Sequence, residues 1–237
     1  MIIGKTRSNI GWEIENQYEI LSQMISDVAE RYQKEAIDLD LIVDAEIAKV
    51  AKDDNDAQMS TRNAFSEIVI KKSMQCAEAR KVLFCAIFSY FESMLYGIIE
   101  YYKIPRGKTI QVKQLVDIIK NEYVKRYNDQ FPDYGYTETI ICEQYRILRN
   151  YFMHGKLESD NDMESLRSYA LTTSGISWYD WDRYEITDNN FLVVALGRIN
   201  GFLVKIEEAY NKKNRKQWIL VLCGNLPPNR YTRDTAS

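Results

Sequence analysis

The chain holds a single histidine, His154, and the residues just before it are types that can act on a phosphodiester. The local sequence runs Glu143-Gln144-Tyr145-Arg146-Ile147-Leu148-Arg149-Asn150-Tyr151-Phe152-Met153-His154-Gly155. Histidine is the side chain whose unperturbed titration falls near neutral pH, so it can exchange protons under ordinary conditions. It can take the proton of a ribose 2′-hydroxyl or return one to a departing 5′-oxygen. Arginine stays cationic and offers phosphate oxygens a planar fork of donors. Arg149 would stabilise the charge gathering on a phosphorane, with no metal required. The product of such in-line attack is a 2′,3′-cyclic phosphate.

Spacing limits how these groups can cooperate. Arg149 and His154 are five residues apart, which on a regular helix turns them about 140° from one another. Either the helix end unwinds at Met153–Gly155, or two copies of the helix meet and share one site. Arg146 and Asn150, four residues apart, share a helical face. The histidine closes the helix, where it meets the negative end of the helix dipole.

The stretch Arg149-Asn150-x-x-x-His154 resembles the signature of HEPN domains, in which a histidine follows an arginine after a few residues and a polar residue often follows the arginine directly. Gly155 after the histidine fits the same pattern. So does an apolar helix with a lone acid, Phe91-Glu92-Ser93, ahead of the motif, and a long helix behind it. The resemblance covers residues 76–212. It implies a small helical bundle that dimerises and brings two motifs together in one RNA-cleaving cleft, in toxin–antitoxin or phage-defence systems. Arg149 and His154 would then be catalytic. Asn150 would orient the site, Arg146 would bind phosphate and Glu92 would support the arginine. RNA, a second copy and an antitoxin or defence partner are the implied partners, and no cofactor is expected. Some members of the family have lost activity, so an inactive HEPN-like binding or dimerisation module is the rival expectation. The other is a plain helical protein whose motif is accidental: His154 as a helix-ending histidine, Glu92 as a buried acid satisfied by Arg149 or by tyrosine hydroxyls.

Positioning such a site falls to helices. Only 4 Pro and 10 Gly occur among 237 residues, and scarce breakers favour long helices. Ile14, Tyr18, Leu21, Ile25, Val28 and Tyr32 form one helical stripe, to pack on the chain itself or on a second copy. From Ile37 to Val50, Leu41, Ala45 and Ala48 share a face. Asp53-Asp54-Asn55-Asp56 reads as a turn, and Ser60 or Thr61 as the cap of the next helix, which Pro105 and Gly107 end after Tyr102. Within it, residues 82–99 are apolar nearly all round, as at the centre of a bundle. Val112, Leu115, Val116, Ile119, Tyr123 and Tyr127 mark another helix, and residues 128–135 a loop. The motif helix starts near Thr137 and ends at His154, with Gly155 as a left-handed C-cap. Residues 158–162 read as polar loop and 176–186 as a hairpin or extended lid, whose Trp178, Tyr179, Trp181 and Tyr184 could stack on bases. Asp188 caps a last helix from Asn190 to Tyr210. Lys212, Lys213, Arg215 and Lys216 make a basic knot, and 218–223 a strand or docked tail.

The expected fold is all-α: a HEPN-like bundle over residues 76–212, an N-terminal helical extension over 1–75 and a basic and apolar tail over 213–237. Bulk properties narrow the classes. Net charge is −3, so nucleic-acid contact must be local rather than spread over a basic face. Cys76, Cys85, Cys142 and Cys223 show no paired spacing, which suggests a reducing, cytoplasmic setting rather than a disulfide framework. One histidine leaves zinc without a ligand set. Met1–Lys5 lacks the pattern of a signal peptide. Ser89, Tyr90, Glu92, Ser93 and Tyr96 suit a bundle helix better than a membrane span.

Overall fold

The computed structural model describes residues 8–50, 54–107, 111–157, 159–179 and 183–222. Several sequence expectations fall outside that range: those on Met1–Lys5, Asp53, Glu158, Trp181 and its two neighbours, Cys223, and the rest of the tail. The protein is all-α apart from one hairpin. Its organising element is α2 (Asn55–Tyr101), whose second half is apolar around most of its circumference. Leu83, Phe84, Ile87, Phe88, Phe91, Leu95 and Ile98 are all buried there. No single neighbour can cover such a helix, so it must sit at the centre of several.

Three elements do the covering. The first, α1 (Asn9–Ile47), runs antiparallel to α2: the Tyr90 hydroxyl donates to the Ile14 carbonyl at 3.0 Å and that of Tyr32 to the Gln75 carbonyl at 3.1 Å. Gly97 permits the close approach, since a Cβ there would stand 2.7 Å from Ile10 Cδ1. The second, α7 (Asn189–Leu222), runs parallel to α2, tied by Arg80 Nε to Asn189 Oδ1 at 2.9 Å and by the Tyr102 hydroxyl to the Glu207 carbonyl at 3.4 Å. The third is the motif region. A short α4 (Gly135–Thr139) leads into a π-helical segment (Ile140–Tyr145) and then into α5 (Arg146–His154). Between α2 and α4 lies α3 (Val112–Tyr127), ended by Asn128 in the left-handed conformation at φ 48°. After α5 come α6 (Asp160–Thr172) and the antiparallel strands β1 (Ile176–Tyr179) and β2 (Arg183–Ile186), with Trp178 opposite Tyr184.

The structure revises the reading at both ends. The last helix does not stop at Tyr210, and the strand or docked tail expected over 218–223 is helical as far as Leu222. The basic knot therefore lies inside a helix. Lys213 pairs with Asp129, and Asn214 Oδ1 accepts from the Tyr127 hydroxyl at 2.7 Å. No breaker interrupts 202–222, and a polar run on one face does not end a helix. Asp54, not Ser60 or Thr61, caps α2, accepting from the Ala57 amide at 2.9 Å. The polar loop expected over 158–162 is instead the start of α6, capped by Ser159.

At the other end, α1 and the first half of α2 form a two-helix arm, and the boundary drawn at residue 75 falls inside the unbroken α2. Ile10, Ile14, Leu21 and Ile25 belong to the bundle core. Among the described residues from Ser26 to Cys76, none is fully buried. A pair of helices offers one shared seam, here half-burying Val28, Tyr32, Leu39, Val43 and Phe65. The face of Leu41, Ala45 and Ala48 points away from it, and Leu41 is 63% exposed. By length and composition α2 could cross a membrane, and 56% of its most apolar window is buried within the bundle.

Phe84 is the aromatic hub beneath the motif. It is fully buried and meets Tyr145, Phe152 and Phe191 at ring-centroid distances of 5.5, 6.0 and 5.7 Å. Phe84→Ala is expected to lower the unfolding free energy by about 3–5 kcal/mol. Denaturant titration followed by far-UV circular dichroism measures it, and a loss below about 1 kcal/mol would contradict this packing.

Candidate active site

The motif helix is built in two registers. In the π-helical segment Ile140, Ile141, Cys142 and Tyr145 are all buried, a run of adjacent inward positions that an α-helix cannot present to one neighbour. The wider turn accommodates them. Cys142 is buried deeply enough that its thiol is pushed up to about 12. Tyr145, also raised by burial, accepts from Arg198 Nη1 at 3.3 Å. From Arg146 the helix is regular α and ends at Gly155, whose φ of 70° is the left-handed cap expected from the sequence. The Gly155 amide donates to the Tyr151 carbonyl at 2.8 Å.

Regularity decides between the two geometries raised by the spacing. Since α5 stays helical through His154, the divergence of about 140° between Arg149 and His154 is kept within one chain. Their environments differ accordingly. Arg149 turns toward α2, where Nη2 stands 3.7 Å from Glu92 Oε2, and Nη1 donates to Asn150 Oδ1 at 3.1 Å. Its Nε is buried without a hydrogen-bond partner. Phe152 points into the core against Phe84. The Tyr151 hydroxyl accepts from the Tyr184 amide at 3.3 Å, which ties β2 to the motif. His154 is exposed. Arg149, Asn150 and Glu92 thus come together, while His154 stands apart from them.

Arg146 has a partner that the sequence reading missed. Its Nη2 lies 3.5 Å from Asp162 Oδ1, so its charge is shared with α6. One residue earlier in the π-helical segment, Gln144 Nε2 donates to Ser165 Oγ at 2.9 Å. The signal for α6 was present in Ser159 followed by Asp160 and Asp162, a capping serine with acids in the first turn. Near the hairpin, Arg167 stacks 4.0 Å over the Trp178 ring, so one face of that aromatic is covered by the protein itself. Among the described residues no group of three His, Cys, Asp or Glu side chains is arranged to hold a metal ion.

The Glu92–Arg149 pair is loose. At 3.7 Å it exceeds hydrogen-bond distance. Burial pushes the Glu92 carboxyl above its ordinary range, and the Arg149 guanidinium only partly opposes this. Its neighbour Cys85 shows the same balance, raised by burial and lowered in part by Arg149. No family model, curated protein or solved structure matches the chain.

A carboxyl raised in the folded state binds its proton more tightly there than when unfolded. Its contribution to stability is full below the ordinary glutamate range and is lost as pH rises through the raised range. Glu92→Gln removes that dependence. Thermal unfolding from about pH 4 to about pH 7 should show the variant gaining on the wild type as pH rises. A difference that is flat, or of opposite sign, would mean that the Arg149 charge outweighs burial.

Proposed function

We propose that the protein is a metal-independent endoribonuclease of the HEPN type, working as a pair of chains in toxin–antitoxin or phage-defence biology. The observation that carries this reading is the Arg149–Asn150–Glu92 group beside an exposed, helix-ending His154 on a regular α5. In-line cleavage requires one proton to leave the 2′-hydroxyl and another to reach the 5′-oxygen, while the 2′-oxygen bonds to phosphorus and the 5′-oxygen departs. One chain carries one histidine. Two α5 helices meeting in a dimer would supply two, one to accept a proton and one to donate. They would also bring His154 of one copy toward Arg149 of the other, which a single helix keeps on different faces.

In this scheme Arg149 stabilises the negative charge on the pentavalent phosphorus. Asn150 holds its guanidinium through Oδ1, and Glu92 does so through charge. Arg146, already paired with Asp162, would bind a phosphate at some cost to that pair. Single-stranded RNA or a tRNA loop is the expected substrate class, because in-line geometry needs a flexible backbone. The exposed apolar face of the arm supports a second reading, a binding or dimerisation module without cleavage.

His154→Ala and Arg149→Ala are each expected to lower cleavage of a fluorescent single-stranded RNA by about 10²–10⁴-fold in the presence of EDTA. The upstream fragment should carry a 2′,3′-cyclic phosphate. Cleavage that survives both substitutions, or that EDTA abolishes, rules the mechanism out. No cleavage by the wild type, with sedimentation still showing a dimer, favours the binding module.

A further inference from the structure

Away from the motif, a cleft of about 600 Å³ opens between α1 and α7. Its floor is apolar: Ile14, Tyr18 and Val204. At its base is Glu207, the one charged residue among the described residues that is buried, at 5% exposure. Burying a carboxylate is costly unless its charge is matched. Glu207 Oε1 accepts from Ser8 Oγ at 2.5 Å, and no ion pair joins the carboxylate to a cation among the described residues. Gly11 faces it, and a Cβ at that position would come within 3.2 Å of Oε1, so α1 places no side chain across the carboxylate. The volume lies in the range of small-molecule sites, which are mostly apolar with a few placed polar groups.

Further carboxylates line both walls, Glu15 and Glu19 on α1 and Glu208 on α7. They are spread rather than convergent, since no three acidic side chains among the described residues form a metal-holding group. A compact cation could satisfy only part of such a wall. A chain of methylenes with an ammonium at intervals matches both the spread carboxylates and the apolar floor. Lys212 and Arg215 line the cleft along the later turns of α7, which directs a cation toward Glu207 and Glu19.

We propose that the cleft between α1 and α7 binds a linear alkyl polyamine, with one ammonium paired to Glu207 and its methylenes lying on Ile14, Tyr18 and Val204. Calorimetric titration of the full chain with spermidine tests this, with magnesium chloride at equal ionic strength as the compact-cation comparison and a lysine-rich peptide as the macromolecular one. Saturable spermidine binding is expected, weakened at least about tenfold in Glu207→Gln and in Val204→Trp, which fills the floor. Glu19→Gln, on the outer wall, should weaken it by a smaller factor in a chain that melts like the wild type, and it serves if Glu207→Gln does not fold. The proposal is overturned by any of four results: no saturable spermidine binding, equal binding by the folded variants, full displacement by magnesium at matched ionic strength, or binding of the peptide alone.

Discussion

The second half of α2 cannot be left in water on any side, and the architecture answers to that constraint. A helix bearing Phe84, Ile87, Phe88, Phe91, Leu95 and Ile98 on different sides needs α1, α5 and α7 around it at once. That requirement fixes where α5 lies, because Phe152 and Leu148 must reach the same core that Phe84 occupies. Once Phe152 points inward, Arg149 is turned toward Glu92 and His154 toward solvent. The disposition of the motif is therefore a by-product of core packing, and each charged group takes the face that the aromatic anchors leave open.

Glu92 shows what this arrangement costs. A carboxyl on the central helix is half desolvated, and its partner stands beyond hydrogen-bond reach. A structural ion pair would close that distance. Here Arg149 also keeps a buried Nε–H without an acceptor, so the guanidinium is only partly satisfied by its own chain. A phosphate group would satisfy it more fully than Asn150 and Glu92 do.

Much of this was legible in the residues. The apolar circumference of α2, the stripe of α1, the positions of α3 and the glycine cap at Gly155 each follow from a local rule, and each is found where that rule puts it. What escaped has physical causes. Few apolar positions mark α6, with Leu166, Tyr169 and Ala170 its buried residues, so its period is faint. The end of α7 was misplaced because a basic run resembles a solvated terminus, although helices tolerate such runs readily. The pairings of Arg146 with Asp162 and of Gln144 with Ser165 join separate helices, which no local pattern encodes. The face of Leu41, Ala45 and Ala48 was visible as apolar, but periodicity alone cannot say whether anything covers it.

The π-helical segment Ile140–Tyr145 has a bearing on how such a chain can vary over time. It accommodates an extra residue in the turn just ahead of the motif. Losing one residue there would restore an ordinary α-helix and rotate everything after it by about 100° relative to the core behind. Phe152 would leave Phe84, and Arg149 would leave Glu92. Exchanges of side chain within 140–145 face only the usual demands of burial, whereas a change in chain length faces a geometric veto. The segment acts as a phase lock, and related chains should diverge there in residue identity while holding its length constant.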